Sequence, residues 1–166
     1  MNAVKPTLQE EFAAVLKFCP DDKLGIDIGC GTNPLRENIL KLDVYPHACA
    51  DMVLDCAKLP FMDNRLDFVF SSHCLEDFEP AIIKDVVTEW LRVIKAGGYL
   101  VLLLPDMQGG RYAKAGQPNG NPSHKVDVGV EYMKNLVKDL PVEIVQCDTI
   151  DHARYFTFDF VIKKLI

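Results

Sequence analysis

The residues with the clearest chemical use are a pair of glycines, three aspartates and two histidines. Leu24-Gly25-Ile26-Asp27-Ile28 is an apolar run carrying one acid, and Gly29-Cys30-Gly31-Thr32-Asn33 follows it directly. That pattern predicts a buried strand running into a tight turn. Lacking a Cβ, the two glycines reach φ > 0 and let a ligand come close to the backbone at the carboxyl end of the strand. Asp43 stands near the end of a second run, residues 39–44. A carboxylate there offers two acceptors to paired hydroxyls such as those of a ribose. Asp55 follows a third short run that begins at Met52. His73 and His124 are candidate general bases for removing a proton from a hydroxyl, and His152 is a weaker one. The plain alternatives are a turn with no ligand, exposed loop aspartates, and histidines that only close hydrogen bonds.

These residues need strands to carry them. Runs at 24–28 and 39–44 read as strands 1 and 2, residues 52–61 as a short strand then a turn, and residues 66–78 as the fourth strand with its exit loop. Residues 99–104 read as a fully apolar fifth strand, the kind buried on both faces. Residues 142–145 and 156–163 supply a sixth and a final strand. Between them, residues 8–18 show amphipathic helical spacing that Pro20 ends. From Pro80, apolar residues at 82, 83, 86, 87, 90, 91 and 94 form one helical face, which Gly97-Gly98 is expected to close. Residues 126–140 repeat that spacing. The alternation of strands and helices predicts an α/β, doubly wound sheet with helices on both faces.

Residues 105–125 hold four glycines, three prolines and two asparagines. A stretch this long without regular structure is uncommon in a compact domain unless it is functional or disordered. It leaves the carboxyl end of the fifth strand, so it is expected to act as a lid. Arg111, Lys114 and Lys125 give it a positive cast that suits an anionic substrate.

Length and composition limit the functional classes. A chain of 166 residues suits one domain, residues 1–166, and is 49% hydrophobic and 25% charged. The net charge of −6 repels nucleic acid rather than steering it in. No apolar run reaches the length of a membrane span, and the N-terminus lacks a signal-peptide apolar region, so a cytoplasmic location without a membrane is expected. Six cysteines without a Cys-x-x-Cys pair favour reduced, mostly buried thiols, and no metal-ligand spacing appears. A dinucleotide fingerprint needs a third glycine where Pro34 stands and a full helix after it, so an NAD-dependent dehydrogenase is poorly supported.

Taken together, four segments resemble the class I S-adenosylmethionine-dependent methyltransferases, in the order that family uses. Asp27 to Asn33 is similar to the first motif, with Asn33 where many members have a third glycine. Asp55-Cys56-Ala57-Lys58-Leu59-Pro60-Phe61 is similar to the family's D-x-x-x-L-P-F segment. Leu66 to Phe78 resembles F-D-x-V-x-S-x-H-x-L-E-H, departing at Asp77 where a second His is usual. Trp90 to Leu100 resembles L-x-R-V-L-K-P-G-G-x-L, with Ala96 for the proline. The resemblance implies a Rossmann-like fold whose last strand inserts antiparallel between the fifth and sixth. It implies S-adenosylmethionine held by Asp27, Gly29, Cys30, Gly31 and Asn33, with Asp43 on the ribose and Asp55 and Cys56 on adenine. Ser71, Ser72 and His73 would lie beside the methionine moiety, and His73 or His124 would serve as base. The implied function is methyl transfer to a small molecule, such as a sugar or another anionic metabolite. A protein that binds the cofactor without catalysis is the alternative. Acceptor atom and oligomeric state are not encoded in these motifs.

Overall fold

A computed structural model describes residues 12–46, 49–108, 112–149 and 157–166, with backbone alone at 150, 151 and 156. Among these residues eight strands form one sheet: β1 (Gly25–Ile28), β2 (Leu40–Asp43), β3 (Met52–Val53), β4 (Leu66–Ser72), β5 (Ile94–Pro105), β6 (Val142–Gln146), β7 (Thr149–Asp151) and β8 (Phe156–Lys164). Two helices are α1 (Ile83–Val93) and α2 (Val130–Val137). The strand order is β3-β2-β1-β4-β5-β8-β6, with β7 pairing on β8. Strands β1 to β5 pair in parallel, and β8 runs antiparallel between β5 and β6. This is the expected Rossmann-like sheet, including the inserted last strand.

Side-chain alternation explains why the central strands are apolar throughout. Val69, Leu100, Leu102 and Leu104 point to one face, where Val86, Val87, Trp90 and Leu91 of α1 and Met133 and Val137 of α2 cover them. Phe68, Phe70, Val101 and Leu103 point to the other, where Phe12, Val15, Leu35 and Ile39 pack. A period of two places both sets in dry contact, so each central strand is buried on both sides.

Several boundaries differ from the pattern-based reading. Of the helix expected at 8–18, residues 8–11 lie outside the described residues, residues 12–13 are helical, and the end is a 3₁₀ turn, Leu16–Phe18. Phe12 and Val15 there serve packing: Phe12 meets Phe70 edge-on at 5.2 Å between ring centroids. Helix α1 starts at Ile83, three residues after Pro80. It stops at Val93 rather than at Gly97-Gly98, because Ile94 turns extended (ψ 139) and pairs at once with Leu66. The two glycines therefore sit inside β5. Helix α2 is shorter than 126–140 because Val128 takes another partner: its carbonyl accepts Met107 N–H at 3.1 Å and Gln108 N–H at 3.3 Å. That pairing holds Val126 and Val128 extended and buried.

Segment 105–125 forms no helix or strand beyond Pro105 among its described residues. It is nevertheless anchored. Met107 is buried, Ala115 N–H donates to Asp127 Oδ1 at 2.7 Å, and Lys125 and Val126 N–H both donate to the Glu76 carbonyl, at 2.8 and 3.2 Å. Among the described residues no helix is long and apolar enough to cross a membrane.

Candidate active site

The strand order reverses direction between β1 and β4, and that is where an open parallel sheet leaves a crevice at its carboxyl edge. Gly29 follows β1 and His73 follows β4, so the reversal brings the glycine turn and the histidine side by side. Gly29 and Gly31 both have positive φ, +71° and +51°. A Cβ on Gly29 would lie 2.5 Å from the Cys74 Cβ, so no larger residue fits between the two turns. Around Gly31 nothing lies within 4 Å of that position, which leaves its backbone open to a ligand. Gly29 and Cys30 N–H donate to the Leu42 carbonyl at 2.8 and 3.3 Å and tie the turn to β2.

Asp43 braces this turn. Its Oδ2 accepts Gly31 N–H and its Oδ1 accepts Tyr45 N–H, both at 2.9 Å. Each oxygen keeps a further acceptor site, so hydroxyl recognition is compatible with that bracing. Asp27 lies deeper and is only 1% exposed. Its Oδ2 accepts Leu35 N–H at 2.6 Å, which folds residues 32–35 back onto β1. Burial pushes the Asp27 carboxyl up to about 7, against the opposing pull of the Leu35 N–H and the Lys41 ammonium.

Two cavities meet over the turn. One, of about 480 Å³, is lined by Gly29, Asp43, Tyr45, Asp55, Cys56 and Phe78, among others. The second, of about 340 Å³, is lined by Phe12, Asp27, Cys30, Asn33, Phe70 and Ser72, among others. Gly29, Gly31 and His73 line both. The combined site is of the size small-molecule pockets usually have.

The loop bearing Asp55 and Cys56 is held by the end of α1. Trp90 Nε1 donates to the Cys56 carbonyl at 2.8 Å. The Arg92 guanidinium reaches the carbonyls of Leu59 (3.2 Å) and Phe61 (2.8 Å) while pairing with Glu89 and Asp63. Glu89 Oε1 in turn accepts Leu59 N–H at 2.8 Å. Asp55 itself is exposed and closes a turn through Ala57 N–H.

The remaining expected residues are placed unevenly. Ser71 lines neither cavity: it is buried, and its Oγ donates to the Ile28 carbonyl at 2.9 Å. Ser72 reaches the second cavity. His73 adopts φ +51, with its Nε2 at 3.2 Å from Thr157 Oγ1 and its Nδ1 at 3.5 Å from Glu76 Oε1. His124 does not line either of these cavities. Its side chain is buried against Glu76, with Nε2 at 3.6 Å from Oε1, and its outer side borders a separate hollow within segment 105–125. His152 and Arg111 lie outside the described residues. Tyr45, Asp77, Phe78, Ser123 and Lys125 line the first cavity without having been singled out as ligands. Tyr45 and Phe78 sit two residues from a motif acid, which was the available signal; Lys125 was marked only by the positive cast of segment 105–125, and Ser123 beside it carried no signal.

Comparison with known proteins finds similarity to methyltransferases. The sequence model described as a methyltransferase domain matches residues 26–102. An S-adenosylmethionine-dependent methyltransferase of Archaeoglobus fulgidus superposes with a TM-score of 0.71 at 17% identity, covering 95% of this chain and 93% of that one. One from Methanosarcina mazei gives 0.68 at 17% identity, covering 92% and 97%. A demethylmenaquinone methyltransferase of Bacteroides fragilis is 30% identical over 84 residues, 51% of this chain. The chain spans about a third (34%) of the length of the curated relatives it matches. The fold is that of these solved methyltransferases, and residues 26–102 are similar to a methyltransferase domain. The cofactor they imply is S-adenosylmethionine.

Proposed function

We propose that this chain binds S-adenosylmethionine across the two joined cavities and transfers its methyl group to a small molecule. The observation that carries this reading is the juxtaposition of the open Gly31 backbone, the Asp43 carboxylate and His73 at the reversal between β1 and β4. Gly31 with nothing above it, and acids at the ends of β2 and β3, suit a nucleoside whose hydroxyls and amino group need acceptors. Asp43 would receive the ribose hydroxyls. Asp55 and the Cys56 N–H would face adenine, and Asp27 and Asn33 would face the amino-acid tail.

When bound, the cofactor supplies a methyl group activated on a sulfonium. The chain's own task is then alignment and proton removal. His73 is the candidate base because it lines both cavities. Its Nε2 rests on the Thr157 hydroxyl, so it takes a proton once that contact yields. Residues 105–125 act as a lid that brings Lys125 to the cavity rim, which favours an anionic acceptor. A second reading, a flat aromatic acceptor, draws on Phe12 and Phe70 in the smaller cavity and on the quinone-type relatives.

The test is transfer of a labelled methyl group from S-adenosylmethionine to a pool of anionic and aromatic metabolites. A labelled product is expected. Binding without any transfer would instead make the chain a cofactor-binding regulator.

A further inference from the structure

Glu76 occupies an unusual place. It lies in the 3₁₀ turn Leu75–Asp77 just beyond β4, its side chain is fully buried, and neither carboxylate oxygen has a hydrogen-bond partner among the described residues. A buried carboxylate is strongly destabilising unless positive charge or donors face it. Here two imidazoles face the same oxygen, His73 Nδ1 at 3.5 Å and His124 Nε2 at 3.6 Å. One belongs to the cofactor cavity and the other to the lid.

The surroundings of His124 show that its protonation matters. Asn121 Oδ1 accepts Ser123 N–H at 3.0 Å, so the Asn121 amide nitrogen is the atom 3.1 Å from His124 Nε2. In a neutral ring Nε2 accepts from that amide, and the ring proton falls on Nδ1, which is buried without a partner. In a charged ring Nε2–H can turn toward Glu76 instead. Neither state satisfies every group, so the balance is set by Glu76. Burial lowers His124, while Glu76 pulls it back up and His73 pushes it further down. Asp77 is pushed up to about 6 by burial and by the charge of Glu76. Among the described residues, Cys74 and Asp77 on the same turn, Lys125 from the lid and Tyr112, whose ring centroid lies 5.6 Å from that of His124, are further titratable groups around the pair; Lys125 Nζ lies 3.9 Å from Glu79. The main chain adds a mechanical link, because the Glu76 carbonyl accepts both N–H groups that end the lid.

We propose that Glu76 is a positioning residue that orients His73 in the cofactor cavity and seats the lid through His124, so that the two are coupled. This rests on the methyl-transfer reading only for its consequence, since the coupling itself belongs to the apo chain.

The experiment uses the full chain with Glu76→Gln, Glu76→Asp and, from the other side, His124→Gln. Imidazole nitrogen NMR across a pH series reads the rings directly. In Glu76→Gln the His124 titration midpoint should fall, as expected for loss of a negative charge within ion-pair distance, and the His73 ring signals should move. Limited proteolysis within residues 112–120 should speed up severalfold in Glu76→Gln and His124→Gln. Affinity for S-adenosylhomocysteine should drop about tenfold in Glu76→Gln, by weakening a charge-assisted contact network, and recover in part in Glu76→Asp. His73 and His124 signals unchanged in Glu76→Gln would overturn the proposal. If Glu76→Gln does not fold, His73 signals unmoved in His124→Gln would do the same. A wild-type chain that fails to bind S-adenosylhomocysteine, yet shows the NMR and proteolysis changes, would remove the cofactor reading and leave the coupling standing.

Discussion

Asp27 and Asp43 are both buried acids at strand ends, and each lines one of the two cavities. Asp43 accepts two backbone N–H groups, and Asp27 accepts one and is pushed up to about 7 by burial. Because the folded chain holds a proton on Asp27 that the unfolded chain releases near pH 4, stability declines as pH rises from about 4 to about 7. Below that window the residue exerts no such pull; above it the buried charge is fully present. Asp27→Asn keeps an oxygen for Leu35 N–H and removes the charge. Relative to the wild type, urea unfolding should show Asp27→Asn gaining stability across that window, by up to about 4 kcal/mol at its upper end. A constant difference at every pH would mean that Asp27 titrates like an exposed acid. The motif acids and glycines were readable because each is used within a few residues of its own strand. Glu76 was not: what defines it is a histidine 48 positions away in the chain, a relation no local pattern encodes.

At the level of elements, most strands were legible, whereas the short β7, the start of β5 and the helix ends were not. An apolar run such as 99–104 can satisfy itself only by burial on both faces, so it reads as a central strand wherever it stands. Helix ends are decided by competition. Ile94 leaves α1 because pairing with Leu66 outweighs one more helical turn, and Val126 and Val128 stay extended because Met107 and Gln108 donate to Val128. The value of ending α1 at Val93 is that Arg92, in its last turn, reaches the loop behind Asp55 and Cys56. Lysine cannot form that fork: it has one nitrogen where arginine bonds two carbonyls and two carboxylates. Arg92→Lys should therefore lower stability by about 1–3 kcal/mol. It should also weaken S-adenosylhomocysteine binding, measured by calorimetry, because the adenine-facing loop loosens. Full affinity in a less stable Arg92→Lys variant would show that the loop is held by Trp90 and Cys56 instead.

For the molecule as a whole, the choice between cofactors comes down to how β1 reaches β2. A dinucleotide fold spends that crossover on a helix whose N-terminus faces a pyrophosphate. Here residues 29–39 make turns and no helix, since Asp27 captures Leu35 N–H and Asp43 captures Gly31 N–H, the donors such a helix would present. What remains at the sheet's carboxyl edge is a site with acids and open glycine backbone, and residues 29–39 supply no helix N-terminus for a diphosphate. S-adenosylhomocysteine carries a nucleoside and an amino acid but no phosphate, so it needs no such helix N-terminus. At a hundredfold excess over its Kd it should stabilise the chain by about 2.7 kcal/mol. For a domain of this size that raises Tm by roughly 5–10 °C. NAD at the same concentration should leave the melting curve unmoved, because residues 29–39 offer its diphosphate no helix N-terminus. A shift with NAD and none with S-adenosylhomocysteine would reverse the assignment, whatever the fold.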